Sequence, residues 1–252
     1  MKLKFLILIF IGIVYFNKCQ GQWLFGANTG FNFPTNSNYL AIHENPMGNN
    51  ISLFPSYGKA INMGLQITRY KGSIGFRLDV SYNFGGSIQT DHIINNIAGN
   101  HRIKTNISGN NLSFSPLFLL KYPIRKKNIY LFMGPIIAVC KAIKKTSEVD
   151  FYNTTQWQQI ETMTGNLALG VKAGIGFDYN IRRNTCVFLE MQNNSLNYKP
   201  AKLEHEEIFP SYSKSVFYYH KNVNRSKPSN SINQIALPFS SLGLIIGVRK
   251  IL

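Results

Sequence analysis

The segment GNLALGVKAGIGFDYN, residues 165–180, alternates between two kinds of side chain without a break. One set is apolar: Leu167, Leu169, Val171, Ala173, Ile175, Phe177 and Tyr179. The other set is small or polar: Asn166, Ala168, Gly170, Lys172, Gly174, Gly176 and Asp178. A period of two predicts a β-strand. Because the second face is small and polar rather than rich in charge, the segment favours a barrel with a crowded polar interior and a lipid-facing exterior.

The same alternation recurs along the chain and predicts eight strands. They lie at 23–33, about 60–70, 73–84, about 111–122, about 129–142, 165–180, about 185–198 and 241–252. The fifth strand is apolar on both faces, so its register cannot be read from the pattern. In the fourth strand Pro116 predicts a bulge, because proline cannot donate a ladder hydrogen bond.

The connections between these strands alternate in length. Those after the second, fourth and sixth strands are short and basic, with Lys71, Arg125 to Lys127, and Arg182-Arg183. The others are long, at about 34–57, 85–106, 143–164 and 199–231. This pattern is typical of bacterial outer-membrane barrels. We therefore predict an all-β, eight-stranded antiparallel up-and-down transmembrane β-barrel with four long extracellular loops and both termini in the periplasm. The run SVFYYH in the last loop is apolar enough to form an extra hairpin or a tip that docks a partner, and the pattern does not decide whether a hairpin forms.

The first residues are typical of a secretory signal peptide. Lys2 and Lys4 precede an apolar run at 5–16, and Cys19-Gln20-Gly21 provides small residues at the cleavage positions. We predict a signal peptide at 1–21 and a barrel domain at 22–252. Lipidation of Cys19 is the alternative, although Lys18 before it fits a lipidation motif poorly.

Charge and cysteine content restrict the functional classes. The net charge is +16, but only 15% of residues are charged, and they concentrate in turns and loops, so nucleic-acid binding is not expected. After signal cleavage, Cys140 and Cys186 remain on the fifth and seventh predicted strands, too far apart for a disulfide. We predict two free, inert thiols and no cofactor.

Eight strands enclose a lumen just wide enough for side chains. The inward charged set is Arg77, Asp79, Lys121, Lys172, Asp178, Glu190 and Arg249, together with Gln192. We predict that these groups form an ion-paired plug, in which Lys172 and Asp178 find partners such as Glu190; a narrow ion path is the alternative. Aromatic girdles are predicted at the turn end by Trp23, Tyr70, Tyr122, Tyr130 and Tyr179, and at the loop end by Phe31, Phe33, Tyr82, Phe84 and Tyr198.

Several other functions compete with a structural role. The five histidines lie in the long loops near acids, but no spacing matches a metal motif. A lipid A-modifying site could combine Ser87, Ser108 or Ser147 with His92 or His101, but no motif selects one set. We predict a non-enzymatic protein. The basic residues of the fourth loop, Lys199, Lys202, Lys214, Lys221, Arg225 and Lys227, could bind lipopolysaccharide phosphates. A soluble lipocalin-like barrel is the main structural alternative.

Three segments are typical of one family: GVKAGIGFDYNIRRNTCVFLEM, YLFMGPIIAV with its Gly-Pro, and the closing GLIIGVRKIL. They give the chain a resemblance to the small outer-membrane β-barrel proteins of the Bacteroidota, described as porin-family or OmpA-like β-barrel domains. It is weaker to the PorT-like proteins of the type IX secretion system, which are similar in size and basic character. The resemblance implies the outer membrane as the location, outer-membrane lipid as a partner, and a secretion or surface protein as a further partner. Such barrels commonly end in an aromatic residue, whereas this chain ends in Leu252.

Overall fold

The computed structural model describes residues 22–35, 41–44, 50–53, 59–96, 99–124, 127–149, 155–182, 184–209, 212–220, 231–233 and 236–252. The predicted signal peptide lies outside these residues. The strands are β1 (Gln22–Pro34), β2 (Ala41–Glu44), β3 (Asn50–Leu53), β4 (Ala60–Lys71), β5 (Ile74–Gly85), β6 (Ile88–Asn96), β7 (Gly99–Ile124), β8 (Lys127–Val149), β9 (Thr155–Thr164), β10 (Leu167–Arg182), β11 (Thr185–Tyr198), β12 (Lys202–Phe209), β13 (Ser213–His220), β14 (Ser231–Asn233), β15 (Leu237–Pro238) and β16 (Ser241–Ile251). Within the described ranges there is no helix long and apolar enough to cross a membrane.

Eight of these strands close into a barrel. Their order is β1, β4, β5, β7, β8, β10, β11 and β16, and each is antiparallel to the next. The barrel closes where β16 pairs with β1, from Leu24 opposite Ile251 to Pro34 opposite Ser241. Because spatial order follows chain order, the topology is up-and-down. The predicted all-β, eight-stranded transmembrane barrel architecture is confirmed.

The two faces of the barrel wall differ as the sequence predicts. Apolar side chains point outward and stay exposed, for example Leu65 at 66%, Leu169 at 63% and Met133 at 58%. Polar and small side chains of the alternate positions are buried inside. On β8, whose register the pattern does not reveal, Leu131 is exposed while Phe132 is buried, so the even-numbered residues face the lumen.

The predicted bulge at Pro116 is wrong. Phe114 pairs with Ile137 and Phe118 with Met133, so the register of β7 against β8 is the same on both sides of the proline. The ladder between β7 and β8 is interrupted only at positions 115–117, whereas the partner on the other side, Leu78 of β5, stays paired with Pro116. One weakened ladder accommodates the proline, and no extra residue is needed.

The long connections contain further β-structure, which the sequence pattern does not show apart from the last hairpin. β7 and β8 have 26 and 23 residues and extend well beyond the barrel. β6, which follows β5, pairs with the extended part of β7. β9, which precedes β10, pairs with the extended part of β8. β12, which follows β11, pairs with β9. β12 and β13 form a hairpin, which answers the question that the sequence leaves open for 199–231. We call this projecting sheet the wall: β6, residues 99–110 of β7, residues 140–149 of β8, β9, β12 and β13.

The wall stands on one side of the barrel. Five neighbouring barrel strands, β5, β7, β8, β10 and β11, continue into the wall. The other three, β16, β1 and β4, end at the edge of the barrel on that side. The transition between β9 and β10 is a kink at Gly165 and Asn166, whose φ angles are 87° and 50°. Asn166 fixes this kink, because its side-chain nitrogen donates to the carbonyl oxygen of Lys199 at 3.0 Å.

Candidate functional site in the lumen and the wall

A layer of six charged side chains crosses the lumen, and we call it the ionic layer. Its members are Arg77 and Asp79 on β5, Lys172 and Asp178 on β10, Glu190 on β11, and Arg249 on β16. All six are buried, and both arginines are completely inaccessible. Three positive and three negative groups give the layer no net charge. Buried charges are tolerated when they are paired in this way.

Glu190 lies at the centre of the ionic layer. Arg77 donates to its carboxylate through Nη1 at 2.5 Å and through Nη2 at 3.4 Å. Arg249 Nη2 and the Tyr130 hydroxyl also donate to its Oε1, each at 2.5 Å. Charge-assisted hydrogen bonds of this kind are stronger than neutral ones. One carboxylate therefore connects three other strands across the lumen.

The remaining charges pair with partners other than those expected. Lys172 donates to Asp79 at 2.8 Å, and Arg249 donates to Asp178 at 2.5 Å. Neither Lys172 nor Asp178 pairs with Glu190, so that part of the prediction is wrong. The reason is the geometry of the closed barrel, since Lys172 reaches across the lumen to β5 rather than to the adjacent β11.

Tyr130 faces the lumen, which corrects its predicted place in the girdle. It is only 1% exposed, and its hydroxyl also accepts a hydrogen bond from Arg249 at 2.9 Å. The ring occupies space left by Gly176 on β10, where a Cβ atom would lie 2.2 Å from the ring carbon Cζ. Tyr70 and Tyr198 were also predicted outside and are buried, at 3% and 0% exposure.

Lys121 is placed differently from the rest of the predicted network. It is partly exposed at the turn end, and its ammonium nitrogen lies 4.3 Å from the centre of the Tyr70 ring. It therefore lies outside the ionic layer. The alternation also predicts that Gln66 faces inward, but the predicted network does not include it; its side-chain oxygen accepts from Arg249 at 3.2 Å. The sequence pattern missed the rings of Phe132 and Phe188, which stack on Arg77 and Arg249.

Two apolar clusters close the lumen above and below its polar part. The floor cluster, at the turn end, contains Leu24, Tyr70, Leu117, Leu119, Phe132 and Cys186. The roof cluster, at the loop end, includes Ile136, Cys140, Met163, Leu196, Tyr198, Leu237 and Phe239. The segment of β15 and Phe239 lies across the opening of the barrel at the loop end. There the Phe239 amide donates to the Leu196 carbonyl at 3.1 Å, and β15 pairs with β11. The two cysteines are free, as predicted.

A small cavity lies below the roof cluster. The centre of a water molecule can move within about 10 Å³ of this cavity. Its polar lining residues are Asn32, Ser81, Asn83, Asn111, Ser113, Asn194 and Ser241. The side-chain oxygens of Asn32 and Asn194 have no hydrogen-bond donor in the structure. A space of this size suits one water molecule bound to these oxygens rather than a larger solute.

Most of the predicted girdle residues point outward. At the turn end Trp23, Tyr122 and Tyr179 are 39%, 70% and 43% exposed. At the loop end Phe33, Tyr82 and Phe84 are 52%, 36% and 48% exposed, and Phe31 is half-buried against Phe33 with the ring centres 4.8 Å apart. Their outward positions agree with the prediction, and their contact with lipid interfaces stays a prediction.

Ion pairs compensate Lys202 and Lys214 on the wall. Lys202 contacts Glu204 at 2.6 Å, and Lys214 contacts Glu206 at 2.7 Å and Glu204 at 3.3 Å. Hydrogen bonds from Lys202 and Lys214 lower the pKa of Glu204, and the bond to Glu206 raises the pKa of Lys214. Lys199 is exposed, while Lys221, Arg225 and Lys227 lie outside the described residues. Among the described lysines that could bind lipopolysaccharide phosphates, Lys202 and Lys214 are thus paired with glutamates.

The metal and serine–histidine sites that the sequence analysis weighs against a structural role are not assembled in the described part of the chain. His205 contacts Glu161 through Nδ1 at 3.9 Å and Glu207 through Nε2 at 3.6 Å, so the two acids approach opposite ring nitrogens. Among the described side chains there is no group of three potential metal ligands. Ser87, Ser108 and Ser147 are described, but the side chains of His92 and His101 are not.

Comparisons with known proteins bear on the fold. No protein-family model matches the sequence, and no curated protein matches it. The structure is similar to that of a major outer membrane protein from Thermus thermophilus, with a TM-score of 0.51 and 14% identity over 93% of this chain and 100% of that chain.

It is also similar to Neisserial surface protein A, with a TM-score of 0.41 and 11% identity over 90% of this chain and 96% of that one. The attachment invasion locus protein Ail of Yersinia pestis has a TM-score of 0.38 and 10% identity over 93% of this chain and 100% of that one. The Thermus likeness shows that this chain has an outer-membrane β-barrel fold.

Proposed function

We propose that this protein is an integral outer-membrane barrel with a closed lumen and a structural or surface-interaction role. The turns and both termini lie in the periplasm, and the wall stands on the cell surface. The observation that carries the proposal is the pairing of a charge-balanced, sealed interior with an exterior of exposed apolar side chains. Such an exterior is stable only when lipid covers it.

The sealed lumen argues against transport through the barrel. An ion or solute would have to pass the floor cluster, the ionic layer and the roof cluster in turn. Charges in the ionic layer are already paired at 2.5–2.8 Å, so a passing ion would have to break those pairs. A narrow ion path, the alternative from the sequence, requires a continuous polar channel, and the apolar clusters interrupt it.

Reconstitution tests this proposal. The purified barrel, inserted into liposomes and checked by heat-modifiable gel mobility, should leave the liposomes impermeable to small sugars and ions. A known general porin in the same lipid provides the positive control for swelling. Rapid swelling with the folded barrel would contradict the closed-lumen proposal.

Location and orientation need a separate experiment on whole cells. Lys214→Cys places a thiol on the wall and Lys71→Cys places one in a turn; both positions are exposed. A maleimide that cannot cross membranes should label the first variant in intact cells and the second only after the outer membrane is opened. The native thiols are buried and provide the background. The reverse labelling pattern would contradict the proposed orientation.

An accessory role in a type IX secretion machine of a Bacteroidota cell is the second candidate. The wall favours it, because a six-stranded sheet offers a protein partner a larger surface than short loops would. Co-purification from detergent-solubilised outer membrane distinguishes the two roles. Recovery of secretion components supports the accessory role, and recovery of the barrel alone supports a stand-alone one. A changed lipid A acyl pattern on deletion would instead indicate an enzyme.

A further inference from the structure

The turn end of the barrel carries a concentration of positive charge, and we call it the basic rim. Its described members are Arg69, Lys71, Lys121, Lys127, Arg182 and Lys250. No carboxylate side chain is exposed in the described part of this end. The nearby Asp178 is buried and bonded to Arg249.

The outward cations lie where the apolar rows end. On β8 Lys127 precedes Ile129, and on β16 Lys250 follows Val248, each one step along the outward row. On β10 the exposed Arg182 follows Ile181 after a register shift between Asn180 and Arg182. One step of two residues advances about 6.6 Å along a strand, or about 5 Å along the membrane normal at a tilt of about 40°. The headgroup layer is about 5–7 Å thick on each side, so these charges lie at its depth.

Aromatic rings hold some of these cations in place. The Arg69 guanidinium carbon lies 4.8 Å from the centre of the Trp23 ring. The Lys127 ammonium nitrogen lies 5.7 Å from the centre of the Phe177 ring. Cations held over aromatic rings at the end of an apolar surface extend their charge towards the headgroups while their stems stay in apolar contact.

The opposite end of the molecule provides the contrast. There Lys144 contacts Glu161 at 3.2 Å, and Lys202 and Lys214 contact glutamates at 2.6 and 2.7 Å. These three wall lysines therefore have internal counter-charges. Lys127, Arg182 and Lys250 of the basic rim instead face a surface where, among the described side chains, no carboxylate is exposed. None of the three forms an ion pair with a described acidic side chain, so an external anion can serve as their counter-charge.

We propose that the basic rim binds the phosphate groups of anionic phospholipids in the membrane leaflet that surrounds the turns. The lipid chains lie against the outward apolar rows of β8, β10, β11 and β16, and the phosphates contact Lys127, Arg182 and Lys250. This inference rests on the proposed membrane insertion, because only a lipid anchored beside the barrel meets both the apolar rows and the rim. An acidic periplasmic protein is the competing occupant, and it would not need the apolar rows.

Retention of lipid by the purified barrel tests the inference. The wild-type chain, the rim variant Lys127→Gln/Arg182→Gln/Lys250→Gln and the wall variant Lys144→Gln/Lys202→Gln/Lys214→Gln are folded into vesicles of phosphatidylcholine mixed with phosphatidylglycerol. Both variants lose three positive charges, so total charge is matched. After detergent extraction, mass spectrometry counts the phosphatidylglycerol bound to each barrel. Basic residues near a membrane surface contribute about 1 kcal/mol each, which corresponds to about fivefold in affinity per contacting residue at low salt.

We expect the wild-type and wall variants to retain phosphatidylglycerol in preference to phosphatidylcholine, and the rim variant to lose most of that preference. Equal losses in both variants, or no preference in the wild type, would overturn the inference. Displacement of the lipid by inorganic phosphate at constant ionic strength would overturn the assignment to a lipid. Failure of the wild type to become a heat-modifiable barrel in any vesicle would instead contradict the proposed function.

Discussion

Replacing Glu190 by glutamine tests whether the ionic layer stabilises the barrel. The substitution keeps the shape of the side chain but removes the charge to which Arg77, Arg249 and Tyr130 donate. The layer then carries a net charge of +1 in a site where Glu190 is 2% exposed. Removing one partner of a buried ion pair costs about 3–5 kcal/mol. We expect the free energy of unfolding to fall by that amount.

A double-mutant cycle separates the pairing from the loss of one side chain. In Arg77→Met/Glu190→Gln the charges balance again, because Asp79 keeps Lys172, its partner at 2.8 Å. The double variant should recover about 2 kcal/mol relative to the sum of the single ones.

The assay is urea unfolding in detergent micelles, followed by the difference in gel mobility between heated and unheated samples. Glu206→Gln, which breaks an exposed pair with Lys214, is the control and should leave the urea midpoint unchanged. A loss below about 1 kcal/mol for Glu190→Gln, or additive effects in the cycle, would refute a stabilising role of the ionic layer.

Three other predictions concern the lumen and the wall. Gly176→Val should lower the free energy of unfolding by about 1–3 kcal/mol, because the new side chain meets the Tyr130 ring, and Tyr130→Leu in the same chain should restore part of it. The carboxyl of Glu204 has a lowered pKa, so its stabilising contribution is present above the ordinary value of 4.5 and is lost as the pH falls through the lower pKa of the folded state. In an NMR titration, its midpoint should rise towards the ordinary value in Lys202→Gln. Phe239→Ala should loosen the roof cluster but leave liposomes impermeable, because the ionic layer and the floor cluster remain.

Each of these has a result that would contradict it. If Gly176→Val is tolerated and Tyr130→Leu brings no recovery, the ring is not packed against that glycine. An unchanged Glu204 midpoint in Lys202→Gln would show that the hydrogen bond is not formed in solution. Ion conduction through the Phe239→Ala barrel would mean that the roof alone closes the lumen.

The barrel could be predicted from the sequence because one property separates its two faces. Wherever lipid contacts one side and the lumen the other, apolar and small polar residues alternate, as in residues 165–180. The same property explains where prediction failed. β8 is apolar on both faces, since the roof and floor clusters also draw on it, and the orientation of Tyr130 depended on Gly176 of the neighbouring strand.

The wall was less predictable because its two faces carry similar residues. In β12, KLEHEEIF, charged and polar groups occur on both faces, so no contrast of period two remains. The sequence also did not predict which charged residues of the ionic layer pair with each other. Lys172 and Asp79 are separated by 93 residues, and Arg77 and Glu190 by 113. The sequence showed that these charges face inward, but the closure of the barrel decides which of them meet.

The equal number of positive and negative groups in the ionic layer has an electrical consequence. A transmembrane voltage acts on a membrane protein through the net charge that it displaces, about 2.3 kcal/mol per elementary charge for each 100 mV. The six groups move no net charge if the layer shifts as a unit along the barrel axis. A voltage applied across this barrel therefore does almost no work on the ionic layer, and these six groups do not supply the moving charge that a voltage sensor requires.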